Sequence, residues 1–160
     1  MGRGHAAHLV LLQAAHDQRA DVVLVQEPWV GRDPARRQTK HHPAYTTMCA
    51  WSDWEIRPRA IAYVRTDRRG MACAEDPLIP PHPDVVALQI CVGQSGTIRV
   101  VGVYNPPAGC ERYGEPLELL RTAPEWTGRT LWVRDFNARH GPWEATPHRR
   151  VSNGSRPQAH

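Results

Sequence analysis

Residues 84–105 read DVVALQICVGQSGTIRVVGVYN, two apolar runs separated by a short linker that contains glycine. Both runs are rich in Val and Ile, which favour strands. The linker GQSG at 93–96 is typical of the loop of a β-hairpin. The stretch therefore predicts two antiparallel strands at 84–92 and 97–105, and it argues against a purely parallel, doubly wound sheet.

Helical and strand patterns alternate around this hairpin. Apolar spacing predicts a helix over 5–19, and the run 22–25 is typical of a strand covered on both faces, so we expect the helix to pack against a central strand. The order of elements indicates an α/β (α+β) sandwich. Residues 31–58 read as a long surface excursion with one short strand, and residues 59–65 as a strand. Residues 114–123 are predicted to form a helix, and residues 129–133 a core strand.

The composition favours a basic, single-domain protein. The chain has 160 residues and a net charge of +4 that comes almost entirely from arginine, since lysine occurs only at Lys40. Guanidinium groups bind phosphate through two hydrogen bonds and stay charged, which favours a polyanionic partner such as nucleic acid. Mild basicity is also common among soluble domains, so the charge alone leaves both interpretations open.

Cysteine spacing and hydropathy indicate in which cellular compartment the protein resides. The four cysteines are widely spaced and include no C-x-x-C pair. This pattern favours free thiols in a reduced, intracellular protein, either cytoplasmic or nuclear. No apolar run reaches the length of a membrane-spanning helix, so we expect no membrane partner.

Polar residues follow three of the predicted strands. Glu27 follows VVLVQ, Tyr104 and Asn105 follow RVVGV, and Asp135 and Asn137 lie beyond TLWV. A single polar residue of this kind can simply mark where a strand meets water. Three such positions together favour a site, because α/β folds present functional side chains at strand ends.

The residue types suit phosphate chemistry. Asp135 and Asn137 are two positions apart, so in an extended segment their side chains point the same way. A carboxylate can orient or deprotonate a water, and an amide can donate to a phosphoryl oxygen. Glu27 offers a hard oxygen ligand suited to Mg²⁺.

Three segments carry a resemblance to a known family. They are VVLVQEPW at 22–29, VVGVYNPP at 100–107 and DFNARHGPW at 135–143. In this order they resemble the endonuclease/exonuclease/phosphatase superfamily, and they are most similar to the endonuclease domains of non-LTR retrotransposons. The resemblance implies a DNase I-like fold, a two-sheet β-sandwich flanked by helices, and cleavage of phosphoester bonds with Mg²⁺ or Mn²⁺.

The resemblance also implies roles for individual residues. Glu27 matches the glutamate that binds the metal, and Tyr104 matches the tyrosine that helps to hold the phosphate. Asp135 matches the aspartate that orients or activates the attacking water. Asn137 matches the asparagine that helps to hold this water and the scissile phosphate.

The expected partner is DNA, contacted through its phosphate backbone. Arg139 and His140 follow the last motif and are the expected backbone contacts, although exposed, solvated side chains are equally typical of such a segment. The resemblance implies no small-molecule cofactor.

The sequence departs from the family pattern in three places. It contains neither the N-terminal strand with its metal-site Asn nor the C-terminal S-D-H motif, and Arg134 stands where the family has the glycine of G-D-F-N. We therefore expect an incomplete domain over 1–145, a loose tail over 146–160, and little or no nuclease activity. If the backbone at Arg134 needs a glycine conformation, the substitution costs about 1–3 kcal/mol.

Two other functions remain open at this point. The chain can be a non-catalytic nucleic-acid-binding remnant whose basic loops hold the phosphate backbone. It can also be a phosphatase of the same superfamily that acts on small phosphoesters.

Overall fold

Two α-helices and seven strands make up the part of the chain that the computed structural model describes, residues 4–49, 56–124 and 128–135. No helix within these ranges has the length and hydropathy needed to cross a membrane. In chain order the elements are α1 His5–Asp17, β1 Val22–Gln26, β2 Tyr45–Met48, β3 Ala60–Arg65, β4 Met71–Glu75, β5 Val85–Val92, β6 Thr97–Tyr104, α2 Glu115–Thr122 and β7 Arg129–Asp135.

The strands form two sheets. The first has the order β1-β3-β2 and is antiparallel throughout. The second has the order β4-β5-β6-β7, in which only β6 and β7 run parallel. The predicted hairpin is confirmed: β5 and β6 pair from Val85↔Val103 to Cys91↔Thr97, and a 3-10 turn at Gly93–Ser95 joins them.

Side chains alternate across the strands to build three apolar layers. The outer face of the first sheet packs on α1, where Leu12 meets Ile61 and Tyr63. The opposite face of β3 packs on β5 and β6 of the second sheet. The far face of the second sheet, including Val85 and Val101, packs on α2. The result is a helix–sheet–sheet–helix sandwich whose middle layer joins the two sheets.

A glycine allows the two sheets to approach closely near one end of β6. A methyl group on Gly102 would lie 2.9 Å from Cγ1 of Val86 and 3.4 Å from Cδ2 of Leu24. Carbon atoms in contact are normally about 3.5–4.0 Å apart. Glycine therefore leaves room for the side chain of Val86, its partner on β5, while Leu24 of β1 packs over the same position, two residues before Tyr104.

Two expectations about the strands are wrong, and one strand was not predicted. β1 lies at the edge of the described sheet rather than at its centre. β7 is not a core strand, since the side chains of Leu131, Trp132 and Val133 are 55, 44 and 37% exposed. β1 is packed on both faces, as its apolar run predicts, but such a run does not indicate how many strands pair with it. β4 was missed because its residues are only partly buried and show little apolar alternation.

The four cysteines are free thiols, as their spacing predicted. Cys49 is buried in the layer between α1 and the first sheet. Burial raises the pKa of its thiol to about 12, so it stays protonated and unreactive at neutral pH.

His8 is a buried titratable residue of α1. Its side chain is 2% exposed, its Nδ1 accepts a hydrogen bond from the Trp29 amide at 3.3 Å, and its ring meets the ring of Tyr63 edge-on. Burial, and then the nearby charge of Lys40, lowers the pKa of His8 to about 4. The folded protein therefore holds this imidazole neutral.

The pKa of His8 makes folding depend on pH. Its ordinary pKa is 6.5, so the unfolded chain binds more protons than the folded chain between pH 6.5 and 4. We expect the free energy of unfolding of the wild type, relative to His8→Gln, to fall by about 3 kcal/mol as the pH drops through this window. Urea unfolding of both proteins at pH 7, 5.5 and 4.5 measures the difference. A difference that stays constant with pH contradicts the prediction.

Candidate active site at the junction of the two sheets

Glu27 and Tyr104 meet across the two sheets. Glu27 directly follows β1 of the first sheet, and Tyr104 is the last residue of β6 in the second. The Tyr104 hydroxyl donates a hydrogen bond to Glu27 Oε1 at 3.0 Å. Beside it, Gln26 Nε2 donates to the carbonyl oxygen of Val103 at 2.9 Å. Two residues expected to form a site from their positions after strands therefore lie in direct contact.

The backbone of Glu27 is strained. Its φ is 50°, in the left-handed region that a side chain other than glycine rarely adopts. Its amide donates to the carbonyl oxygen of Arg59 at 2.8 Å. Such a conformation costs of order 1–3 kcal/mol and persists where the surroundings hold it, which is often at functional sites.

Asp135 lies beside Tyr104 at the end of β7. The two residues are paired in register across the parallel strands, so their side chains project from the same face of the sheet. The Asn105 amide donates to the carbonyl oxygen of Asp135 at 2.8 Å. The structure thus brings Glu27, Tyr104 and Asp135 to one end of the sandwich.

Three of the residues predicted for the site lie outside the described residues. They are Asn137, Arg139 and His140, and the predicted tail over 146–160 lies there too. Asn105, which also follows β6, is fully buried and accepts a hydrogen bond at Oδ1 from the Gly114 amide at the start of α2. Its side chain therefore supports the fold next to the site.

The strain expected at Arg134 is absent. Among the described non-glycine residues with positive φ are Arg19, Glu27 and Arg37, whereas Arg134 lies in regular β7, paired with Val103. The side chain of Arg134 is exposed. A side chain is tolerated there because the strand is extended and its outward position is open to solvent.

An arginine-lined cleft adjoins Glu27. It encloses about 850 Å³, and its lining includes one carboxylate, Glu27, and the aromatic ring of Trp29. Its basic residues are Arg32, Arg57, Arg59 and Arg112. The sequence does not predict this cleft, because 31–58 reads only as an irregular surface excursion. The R-x-R spacing at 57–59, directly before a strand, is the signal that could have pointed to it.

The Arg59 guanidinium forms a two-pronged ion pair with Asp84. Arg59 Nε and Nη2 donate to the two carboxylate oxygens of Asp84, each at 2.5 Å. The Asp84 side chain is fully buried, and that of Arg59 is 24% exposed. Because Arg59 precedes β3 and Asp84 precedes β5, this pair joins the two sheets.

Further charged groups surround Asp84. Arg112 Nε lies 3.8 Å from Asp84 Oδ2 and 3.0 Å from Glu115 Oε2. His82 Nδ1 accepts from the Asp84 amide at 3.1 Å. Burial lowers the pKa of His82, and the Arg112 charge acts in the same direction, against the opposing effect of Asp84. The imidazole is therefore neutral at neutral pH.

The described donor atoms can be compared with the needs of different metal ions. No group of three or more His, Cys, Asp or Glu side chains suited to a metal occurs in the described ranges. Mg²⁺ usually keeps several waters and binds one or two carboxylates together with substrate phosphates. Glu27, at the mouth of a basic cleft, fits a hydrated ion of this type and not a closed zinc site.

Comparisons with known proteins bear on the fold. No protein-family model and no curated protein matches the chain significantly. Among solved structures it is similar to the endonuclease domain of TRAS1, a telomere-specific non-LTR retrotransposon, with a TM-score of 0.58 and 19% identity. The chain has the fold of a retrotransposon endonuclease domain.

This likeness confirms the expected DNase I-like, two-sheet α/β sandwich. It covers 88% of this chain and 57% of the TRAS1 domain, so the chain spans little more than half the length of that structure.

Because the backbone at Glu27 is left-handed, we expect a glycine variant at this position to be more stable than an alanine variant, the reverse of the order usual in a strand. Glu27→Gly should be more stable than Glu27→Ala by about 1 kcal/mol, because glycine adopts positive φ without steric cost. Urea unfolding measures both. The matched control is Thr46, an exposed position in β2, where the glycine variant should be the less stable one. Equal stabilities at position 27 contradict the strain.

Proposed function

We propose that the junction of the two sheets is the active centre of a metal-dependent phosphodiesterase that nicks DNA. The observation that supports it best is the Tyr104–Glu27 hydrogen bond at the mouth of the arginine-lined cleft. The retrotransposon endonuclease fold adds to this support. Carboxylate, phenol and guanidinium groups together provide a metal ligand, a hydrogen-bond donor and phosphate-binding cations.

Each residue has a role in this proposal. Glu27 would hold Mg²⁺ or Mn²⁺, and the bound ion would stabilise the negative charge that develops on the phosphoryl oxygens. The Tyr104 hydroxyl orients the Glu27 carboxylate by donating to one of its oxygens. Asp135 would orient or deprotonate the attacking water, and Asn137 would donate to the scissile phosphate.

The cleft would hold the phosphates that flank the cleaved bond. Arg32 and Arg57 are exposed and lie in its lining with Trp29. Guanidinium groups bind phosphate oxygens in pairs, whereas a single carboxylate in the lining adds little repulsion. Arg139 and His140, beyond β7, would extend this contact along the DNA backbone.

A second function, nucleic-acid binding without cleavage, is favoured by one observation. The described residues supply only one carboxylate to the cleft and hold no cluster of metal ligands. Such a protein would bind the DNA backbone through arginine alone, with affinity that falls steeply with salt.

Magnesium-dependent DNA binding separates the two functions. With a fluorescent DNA duplex, the active-centre proposal predicts that Mg²⁺ strengthens binding and that Glu27→Gln removes this gain. Binding by arginine alone predicts no gain from Mg²⁺, and it predicts tighter binding by Glu27→Gln, because a negative charge leaves a basic cleft. Fluorescence anisotropy with Mg²⁺ or with EDTA measures both affinities.

Plasmid nicking tests the chemistry itself. We expect slow conversion of supercoiled plasmid to nicked circles, because the described residues supply only one carboxylate to the cleft, and each missing transition-state contact commonly costs several kcal/mol. Whatever activity is measured should disappear with EDTA, Glu27→Ala or Asp135→Ala. Nicking that survives both substitutions contradicts the site. Hydrolysis of a generic phosphomonoester would instead support the phosphatase.

The cleft arginines should contribute to the salt dependence of DNA binding. Each guanidinium that contacts a phosphate adds about 0.9 to the slope of log K against log salt. Arg57→Gln should therefore lower this slope by about 1. Arg69, an exposed arginine in the turn after β3, is outside the cleft lining, and Arg69→Gln serves as the matched control. Equal slopes for the wild type and Arg57→Gln contradict a phosphate contact at this position.

A further inference from the structure

We infer that the Arg59–Asp84 ion pair is a positioning element of this centre, which holds Glu27 and Tyr104 in contact across the two sheets. The inference rests on the proposed function for its chemical meaning, since Glu27 and Tyr104 are residues of the proposed metal centre. The hydrogen bond between Tyr104 and Glu27 that the ion pair supports exists without a bound metal and can be tested without one.

The ion pair has the geometry of a fixed support. Both oxygens of the Asp84 carboxylate accept hydrogen bonds from Arg59, at 2.5 Å each, and this carboxylate is fully buried. A two-pronged contact sets the plane of the guanidinium as well as its distance. The backbone strengthens the same junction, because the amides of Arg59 and Ala60 both donate to the carbonyl oxygen of Pro83.

Arg59 contacts both members of the site. Its carbonyl oxygen accepts the Glu27 amide at 2.8 Å, at the residue whose backbone is strained. Its guanidinium carbon lies 5.3 Å from the centre of the Tyr104 ring, within the range of a cation–π contact. One residue therefore fixes the backbone of Glu27 and the ring of Tyr104.

Asp84 completes a circuit of contacts. Its carbonyl oxygen accepts the Tyr104 amide at 2.9 Å, while its side chain holds Arg59. Contacts thus run from Glu27 to Arg59, to Asp84, to Tyr104 and back to Glu27. We expect release of the ion pair to loosen the guanidinium that lies beside the Tyr104 ring and, through Arg59, the carbonyl oxygen that holds the Glu27 amide.

The ion pair with Asp84 gives Arg59 a different role from the exposed arginines of the cleft. Two of its three guanidinium nitrogens donate to Asp84, so these atoms are turned toward a buried carboxylate. Among the described contacts, the exposed Arg32 and Arg57 form no ion pair of this kind. Arg59 therefore acts through Glu27 and Tyr104, and it is a positioning residue.

The test removes the pair as a unit. Replacing only Arg59 would remove both charge-assisted hydrogen bonds from the buried Asp84 carboxylate, leave only Arg112 at 3.8 Å as a nearby cation, and could prevent folding. The double variant Arg59→Met/Asp84→Asn removes both charges, so the net charge is unchanged. Because Arg59 lines the cleft and Asp84 does not, the double variant makes the cleft less positive, so weaker cation binding by this variant reports lost geometry and not the change in charge.

The first readout needs no metal. A double-mutant cycle between Tyr104→Phe and Glu27→Ala, followed by urea unfolding, measures the coupling between the two side chains. We expect clear coupling in the wild type and its loss in Arg59→Met/Asp84→Asn. Coupling of wild-type size in the double variant overturns the inference.

The second readout is the affinity for Mn²⁺, measured by electron paramagnetic resonance. Residues that orient a metal ligand typically contribute 10–100-fold to metal affinity, so we expect the double variant to bind Mn²⁺ about 10–100-fold more weakly. Glu27→Gln should also weaken binding. If Glu27→Gln leaves Mn²⁺ affinity unchanged, the proposed metal centre is wrong, while the metal-free cycle still decides the positioning role.

A matched control distinguishes positioning from general destabilisation. Arg99 and Asp76 form another ion pair with a fully buried carboxylate, with 2.9 Å between Arg99 Nε and Asp76 Oδ2. Arg99 lies in β6 and Asp76 directly follows β4, so this pair does not join the two sheets. Arg99→Met/Asp76→Asn should lower stability and leave both the coupling and the Mn²⁺ affinity unchanged. If this control loses them to the same extent, the inference is overturned.

Discussion

The buried carboxylate of Asp84 is the constraint on which this end of the molecule depends. A carboxylate removed from water is costly unless a cation and hydrogen bonds replace its hydration, and loss of one partner of such a pair commonly costs about 3–5 kcal/mol. Here the partner, Arg59, comes from the other sheet. The two sheets must therefore meet in one arrangement at this end, with the start of β3 against the start of β5.

The site follows from this arrangement. Once the sheets are joined, the ends of β1 and β6 lie close enough for Tyr104 to donate to Glu27, and β7 places Asp135 in register beside Tyr104. Gly102 allows the approach by leaving room for Val86 and Leu24. The strain at Glu27 is held at the same place, by the carbonyl oxygen of Arg59. Stability and proposed chemistry thus depend on the same few contacts.

Much of this was predictable from the sequence, for definite physical reasons. The hairpin, the α/β class and the placement of Glu27, Tyr104 and Asp135 at strand ends follow from local patterns of apolar residues and turns. The edge position of β1 and the exposure of β7 were not predictable, because they depend on which strands pair at long range. Nor did any motif indicate the Arg59–Asp84 pair, since its members are 25 residues apart and each resembles an ordinary surface charge.

Glu27 is proposed as a metal ligand that Tyr104 holds in place. The most direct measurement is a crystal structure of the protein grown with Mn²⁺, with the ion located by its anomalous scattering. We predict a peak in direct contact with the Glu27 carboxylate, on the side of the cleft, while Tyr104 still donates to that carboxylate. A Mn²⁺ peak bound elsewhere, with none at Glu27, would contradict it.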